Sequence, residues 1–361
     1  MVDRLLTMIY NRSDDKFSLV LQYAAVSNGE GGFTMKGTVK GFTFSLALIC
    51  VSAAYASSYA ITDIGSALRP VGINNTGMVA GYTIGAASHA FVWQNGVLAP
   101  LPEMGGIKSF AQGINNAGEA VGYVRMSDGS DRAVNWQNGT ATDLGIIGRA
   151  MAVNNNGQIV GWKTDSSPTS QSIITSLGSL GGKTTDIAAI NDNSAIVGSS
   201  DTSNGATDGD GNYSAYSHAY LWQNGTMNDL GTLGGNRSRA LAINKSGQIV
   251  GCADVNNSTV HAFLWQNGAM ADLGPSSALK SSATGINNCG VIVGTMLPAA
   301  GGPCAVVWQS GAPTDLNTLV PAHSGWTLTQ ASAVNDAGCI VGLGTYGGVS
   351  HGFLLTPNTG G

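Results

Sequence analysis

The feature that most constrains this chain is a unit that recurs seven times along it. Each unit opens with Ile or Val followed by Asn, and a Gly lies seven residues after that Asn in every unit. Another Gly lies three residues after the Asn in six units, and Ser194 takes its place in the fourth. The residues that mark the units are Asn74, Asn115, Asn154, Asn191, Asn244, Asn287 and Asn335. A period of 37 to 53 residues predicts repeated units that share a core with their neighbours.

The pattern within a unit predicts four β-strands, which we label a to d. Asn and Gly tolerate positive φ and build tight turns, and the β-branched residues on either side favour strands a and b. A second hairpin follows in most units, as at Phe263–Trp265, where Asn267-Gly268 is a strong hairpin signal. A short strand d ends in Asp-Leu-Gly, as at Asp229–Gly231. Four antiparallel strands per unit predict an all-β protein built of propeller blades.

The two ends of the repeat array predict how it closes. The seventh unit stops after strand c, at His351–Leu355, whereas Tyr59–Gly65 has the ending of a strand d and precedes the first unit. We therefore expect a seven-bladed β-propeller whose N-terminal strand completes the last blade and so removes a free sheet edge. The third blade is expected to be irregular, with three strands, because no Trp or Asn-Gly turn lies between Gly161 and Leu177.

The first 56 residues lack the repeat pattern and predict export. Lys36 and Lys40 precede an apolar run, Gly41–Ala53, which is followed by Ala54-Tyr55-Ala56, a signal-peptidase pattern. We interpret residues 1–34 as a non-native upstream extension, 35–56 as a signal peptide and 57–361 as one propeller domain. The apolar run is shorter than the ~20 residues that a spanning helix needs. A membrane anchor or a buried helix is the alternative, but no span is expected in the mature chain, which is predicted to be secreted, either extracellular or periplasmic.

Composition excludes several functions. The chain of 361 residues has 16 Lys and Arg against 21 Asp and Glu, so it lacks the basic stripe that nucleic-acid binding requires. Only 10% of its residues are charged, which leaves few candidates for acid–base chemistry. The sequence contains no nucleophile elbow, zinc-protease motif or phosphate loop. These observations favour a non-enzymatic protein, although catalytic residues scattered over several blades would carry no motif.

Two recurring motifs give the chain a family resemblance. His89-Ala90-Phe91 and His261-Ala262-Phe263 each lead into a Trp, and the segment 229–235 links two units with Asp-Leu-Gly-Thr-Leu-Gly-Gly. This pattern resembles the HAF repeat family of extracellular bacterial proteins, over nearly all of residues 59–357. The third unit departs from it. The resemblance implies a location outside the cell and a repeat fold, and it brings no catalytic residues.

Four His residues share one position and open strand c of their units: His89, His218, His261 and His351. A residue repeated around a ring is expected to support packing and hydrogen bonding, since different blades are too far apart to form one metal site.

Four Cys residues follow the predicted cleavage point, and exported proteins often keep disulfides. Disulfide partners must lie on the same face of adjacent blades, and this condition restricts the candidate pairs to Cys252–Cys304 and Cys289–Cys339. Free, partly buried thiols are the alternative.

A calcium site is one interpretation of the longest insertion, which lies between strands b and c of the fourth unit. Asp208, Asp210 and Asn212 alternate with Gly, and oxygen ligands of this kind suit Ca²⁺. The segment lacks the Gly and Glu that an EF-hand loop requires, so the alternative is a solvated hairpin tip. No other cofactor is predicted.

A ring of Arg residues is the candidate ligand site. Arg69, Arg149 and Arg239 share one register at the start of strand a, where the fourth unit has Asp186. If strand a lines the channel, these guanidinium groups meet at its mouth and suit carboxylate, sulfate or phosphate. The alternative is that each Arg pairs with a neighbouring Asp.

The sequence thus predicts a secreted, non-enzymatic binding or scaffold propeller, monomeric, with an extracellular anionic glycan or a surface protein as partner. One alternative is a propeller hydrolase or lyase that acts on an extracellular polysaccharide. Another is a repeat segment of a larger surface assembly.

Overall fold

The chain divides into two compact units, Met1–Val51 and Ser52–Gly361. The computed structural model describes residues 58–163, 173–174, 177–207, 213–256, 258–309 and 311–358, and the backbone of 6–13 and 16–23. In the first unit, strands β1 (Leu6–Ser13) and β2 (Lys16–Tyr23) form an antiparallel hairpin. The rest of the predicted extension and signal peptide, up to residue 57, lies outside the described residues.

The second compact unit begins with β3 (Tyr59–Ser66) and continues as a series of antiparallel sheets. The first repeat forms a four-stranded sheet from β4 (Leu68–Ile73), β5 (Val79–Thr83), β6 (Ala90–Gln94) and β7 (Val97–Pro100). The second repeat comprises β8 (Lys108–Ile114), β9 (Ala120–Arg125), β10 (Asp131–Gln137) and the first part of β11 (Thr140–Val153).

The third repeat is irregular, as its sequence suggests. Its strand a is the second part of β11, so this strand runs from one sheet into the next. Strand b is β12 (Ile159–Lys163), and the two-residue β13 (Ile173–Ile174) pairs with it in parallel. Residues 164–172 lie outside the described part of the chain.

The remaining repeats return to four strands. The fourth comprises β14 (Gly181–Ile190), β15 (Ile196–Thr207), β16 (Tyr213–Gln223) and β17 (Thr226–Asp229). The fifth comprises β18 (Ser238–Ile243), β19 (Ile249–Asp254), β20 (Val260–Gln266) and β21 (Ala269–Asp272). The sixth comprises β22 (Ala278–Ile286), β23 (Ile292–Pro298), β24 (Cys304–Gln309) and β25 (Ala312–Asp315), and a 3₁₀ helix, Leu316–Thr318, follows it.

The seventh repeat takes its fourth strand from the other end of the array. Its own strands are β26 (Trp326–Val334), β27 (Ile340–Tyr346) and β28 (Val349–Pro357). Strand β3 pairs antiparallel with β28, with Tyr59 opposite Pro357 and Ile61 opposite Leu355. This is the pairing that the sequence predicts for Tyr59–Gly65. The all-β, antiparallel architecture expected from the sequence is confirmed.

Strand a carries a register irregularity in every repeat, at the third residue before the marker Asn. In six repeats a strand a carbonyl lies against the Gly that ends the repeat motif; a Cβ at Gly122, for example, would collide with the carbonyl of Phe110. A small residue, Gly or Ala, precedes the Ile or Val of every repeat, and the reason is close packing between repeats. A Cβ at Gly113 would lie 3.2 Å from the Cα of Ala152, because the strands a of adjacent repeats approach closely there.

The core lies between neighbouring sheets, where the apolar faces of adjacent repeats pack together. Val250 and Ala262 of the fifth repeat, for example, pack with Ile292 and Val306 of the sixth, and all four are at most 4% exposed. Within the described ranges, no helix has the length and apolar character that a membrane crossing requires.

The predicted disulfides do not form, because each contains a Cys that is a free thiol in the structure: Cys252 and Cys304 in one pair and Cys339 in the other. For the pair Cys252–Cys304 the reason is depth within the sheet. Cys252 lies against Ser282 in strand a of the next repeat, whereas Cys304 lies in strand c of that repeat, two strands further out. Burial raises the pKa of the Cys252 thiol, which is therefore protonated near neutral pH.

Candidate functional site

The four repeated His residues each pair with a carboxylate, which lies in strand d for three of them and just after strand d for His89. The Nδ1 atom of His218 lies 2.9 Å from Asp229, and His261 has the same contact with Asp272. His89 pairs with Glu103 at 2.7 Å, and His351 pairs with Asp63 at 2.9 Å, which joins β28 to β3. The Asp of each Asp-Leu-Gly motif also accepts a hydrogen bond from the backbone of its own Gly, as at Asp272. The His residues thus make the kind of hydrogen bonds that the sequence predicts for them.

One end of the repeats, which we call the turn face, contains the seven a–b turns. Each marker Asn is 3–6% exposed, and its Oδ1 atom accepts a hydrogen bond from the backbone N–H four residues later. Its Nδ2 atom donates to the backbone carbonyl of the marker Asn in the next repeat, at 2.9–3.1 Å. The last of these donors, Asn335, reaches the carbonyl of Asn74, so the hydrogen bonds form an unbroken cycle.

This cycle corrects the sequence interpretation of the marker Asn. We expected Asn at these positions because it tolerates positive φ, but none of the seven has a positive φ. Positive φ occurs at the Asn of the Gln-Asn-Gly hairpins, including Asn95 and Asn267. Asn is required at the marker positions for another reason. Its short side chain accepts hydrogen bonds from the backbone of its own turn and donates a hydrogen bond to the next repeat.

A polar pocket of about 220 Å³ lies at the centre of the turn face. Each repeat contributes the same three positions to its wall: the Ile or Val, the marker Asn and the residue after it. The third position differs among repeats and holds Asn75, Asn116, Asn155, Asp192, Lys245, Asn288 and Asp336. The pocket is therefore lined by carboxamides, two carboxylates and one ammonium group.

The opposite end, which we call the loop face, contains the starts of strands a and the b–c loops. A ladder of aromatic rings crosses the first three repeats there. Tyr82 meets Phe110 edge to face at 5.1 Å between ring centroids, and Phe110 stacks on Tyr123 at 4.7 Å. The Arg149 guanidinium lies 4.3 Å from the Tyr123 ring centroid and 5.0 Å from that of Trp162. Stacked rings and a planar cation form a rigid array.

A buried carboxylate holds the ladder in place. Asp131 is 8% exposed and accepts hydrogen bonds from Nε of Arg125 and Nε of Arg149, both at 2.7 Å. Burial alone would raise the pKa of Asp131, but the hydrogen bonds and charges of the two Arg side chains outweigh burial and lower the pKa. Burial raises the pKa of the neighbouring Tyr123, so its hydroxyl stays protonated.

The structure places the predicted Arg ring at the loop face, with different environments for its members. Arg149 is paired with Asp131, as the alternative interpretation expected. Arg69 is half-buried and lies opposite Tyr82 in the sheet, whereas Asp186 and Arg239 are exposed. Whether the three Arg side chains meet at one mouth stays a prediction.

The predicted calcium ligands, Asp208, Asp210 and Asn212, lie outside the described residues. In the part of the chain that the structure does describe, no cluster of three or more His, Cys, Asp or Glu residues is arranged to hold a metal ion.

Sequence reasoning missed the aromatic residues of the ladder. Tyr82, Tyr123 and Trp162 each follow the last Gly of the repeat motif and pair directly with the strand a position of the predicted Arg ring. The same position holds Ser199, Cys252, Thr295 and Leu343 in the other four repeats. The change from aromatic to small or aliphatic residues is visible in the aligned repeats and is the signal that locates the ladder.

The chain is similar in fold to solved structures of low sequence identity. A puromycin-hydrolysing peptidase from Mycobacterium tuberculosis is 10% identical, with a TM-score of 0.52, and the match covers 84% of this chain and 55% of that one. An acylaminoacyl peptidase from Pyrococcus horikoshii is 12% identical, with a TM-score of 0.47 over 80% of this chain and 52% of that one. TolB from Acinetobacter baumannii is 11% identical, with a TM-score of 0.42 over 86% and 80%.

The chain spans about half the length of the two peptidases. Its structural neighbours are β-propeller proteins, and at these identities the likeness concerns the fold alone. No family model matches the sequence, and no curated protein matches it.

Proposed function

We propose that this chain is a secreted, seven-bladed β-propeller of the HAF repeat type, closed by its N-terminal strand, which binds an anionic glycan at its loop face as a non-enzymatic binding or scaffold protein. The pairing of β3 with β28 and the cycle of seven Asn side chains support the closed ring. The sequence pattern of residues 35–56 supports export.

The aromatic ladder is the observation that carries the binding role. The Tyr123 ring is stacked on Phe110, and the Arg149 guanidinium lies over the same ring at 4.3 Å from its centroid. Ring edges carry positive potential, so a ladder whose rings are stacked in this way favours contact with negative groups at its edges. The first three repeats also place three Arg side chains at this end of their strands: Arg69, Arg125 and Arg149. They outnumber the buried carboxylate there, Asp131, which pairs with Arg125 and Arg149.

The use of other ionisable groups also favours binding over catalysis. The repeated His residues are engaged with carboxylates in or next to strand d, and Asp131 is engaged with two Arg side chains. Arg69, by contrast, makes no ion pair within the described ranges, which leaves its guanidinium available to a ligand carboxylate or sulfate.

A glycan array probed with the full chain and two variants tests this proposal. We expect binding to uronate-containing or sulfated glycans that falls at least about tenfold in Arg69→Ala and in Trp162→Ala. Tyr346→Ala is the control, because Tyr346 is an exposed aromatic of the seventh repeat that stacks on Trp326 and not on the rings of the ladder. Binding to neutral glycans only, or equal binding by all variants, would contradict the proposal.

A further inference from the structure

The pocket of the turn face has a second set of hydrogen bonds, and one of its seven positions is different. In six joints between repeats, the backbone N–H of the residue after the marker Asn donates to the Oδ1 atom of the equivalent residue in the next repeat, at 2.9–3.0 Å. The joint between the fourth and fifth repeats lacks this bond. There the donor is Asp192 and the next residue is Lys245, whose side chain has no acceptor atom.

The inner Asn cycle is complete at this joint, so the repeats themselves have not moved apart. Asn191 donates to the carbonyl of Asn244 at 3.0 Å, and Asn193 donates to the carbonyl of Lys245 at 2.9 Å. Among the described residues, the N–H of Asp192 therefore has no acceptor. The next repeat carries Lys245 at the position that supplies the acceptor in the other joints, and its side chain ends in an ammonium group.

Charge within the pocket also distinguishes this joint. The carboxylate of Asp192 accepts two hydrogen bonds from Asn155, and that of Asp336 accepts hydrogen bonds from Asn75 and Asn288. Both carboxylates are thus held by other joints of the pocket wall. Lys245 is exposed, forms no ion pair among the described residues and is the one cation in the pocket lining.

We propose that the turn-face pocket binds a small hydroxylated carboxylate, with one carboxylate oxygen in the place of the missing Oδ1 atom. That oxygen accepts the hydrogen bond of the Asp192 N–H, and the charge of the ligand meets the Lys245 ammonium group. The carboxamides around the pocket, such as Asn116, offer donors and acceptors to the hydroxyl groups. A volume of about 220 Å³ limits the ligand to roughly a single sugar-sized unit. This site is separate from the loop face and does not depend on glycan binding there.

Titration of the full chain with glucuronate, followed by backbone amide NMR, tests the site. We expect saturable shifts of the Asp192 and Lys245 amides, and no such shifts with methyl glucoside, which has a similar ring and no carboxylate. Equal shifts with both sugars, or no shift with glucuronate, would overturn the proposal.

Two substitutions of Lys245 separate the acceptor from the charge. Lys245→Asn supplies the side chain found in other joints, so it should fill the acceptor place, weaken glucuronate binding at least about tenfold and raise the melting temperature. Lys245→Met removes the charge without supplying an acceptor, so it should weaken binding without raising the melting temperature. Lys280→Met, which removes an exposed cation outside the pocket lining, should leave the glucuronate shifts of the Asp192 and Lys245 amides unchanged. Unaltered affinity in both Lys245 variants would overturn the assignment.

Discussion

The turn face and the loop face of the same repeats differ in how they use their residues. At the turn face, one Asn makes the same contacts in all seven repeats, and it does so from a buried position. At the loop face, the position opposite strand a is aromatic in three repeats and small or aliphatic in the other four. The turn face therefore joins the repeats, whereas the loop face carries the differences between them.

Removal of one marker Asn should have the largest effect of the three substitutions that follow. Asn154 accepts hydrogen bonds from two backbone N–H groups of its own turn and donates to the carbonyl of Asn191. We expect Asn154→Ala to lower the free energy of unfolding by about 4 kcal/mol, because these buried groups lose their partners. Chemical denaturation measures this. Asn155→Ala, at the exposed neighbour, is the control and should cost about 1 kcal/mol or less. Equal losses would remove the distinction between the two positions.

A substitution at the loop face should cost less and should depend on pH. Asp131→Asn removes the charge that holds Arg125 and Arg149, and we expect a loss of about 2 kcal/mol near neutral pH. The pKa of Asp131 is lowered in the folded state, so its contribution is present above its ordinary pKa of 3.8 and is lost as pH falls through the lower folded value. Stability curves measured from pH 7 to pH 2 should therefore converge for the two proteins. A constant difference over this range would contradict the ion-pair account.

The smallest expected effect appears in alkali, at the strand that joins the two ends of the array. Burial raises the pKa of Tyr59 from 10.0 to about 12, so Tyr59 stabilises the fold fully below pH 10 and loses that contribution as pH rises through 12. Between pH 9 and pH 12 the free energy of unfolding should fall in both proteins. We expect the fall to be about 1–2 kcal/mol smaller in Tyr59→Phe than in the parent. The pKa of Tyr220 is also raised by burial, and its contribution remains in both proteins. Parallel stability curves would show that Tyr59 does not titrate with unfolding.

The sequence was sufficient for the strands and for the pairing of the ends, because both follow from local patterns. The hairpin at Asn95-Gly96 is predicted from these two residues, because both readily adopt the positive φ that its turn requires. The Asp-Ile-Gly ending of Tyr59–Gly65 matches the ending of the other strands d. The inner role of Asn74 could not be predicted in the same way, since it depends on a carbonyl of another repeat 41 residues away.

The candidate sites were harder to predict for a related reason. The register of Arg149 was identified correctly, but its partners Asp131 and Tyr123 come from the preceding repeat. The disulfide prediction was wrong because a shared face does not specify depth within a sheet, which separates Cys252 from Cys304. Contacts between repeats are thus the information that a single repeat pattern lacks.

Removal of residues 59–66 tests the central claim, that the N-terminal strand closes the array, most directly. We expect the truncated chain to lose several kcal/mol of the about 5–15 kcal/mol typical of native proteins, since β28 is left with an unpaired edge and Asp63 no longer meets His351. A synthetic peptide of residues 58–66 added in excess should restore part of the melting temperature. An unchanged melting temperature after truncation, with no response to the peptide, would contradict closure by this strand.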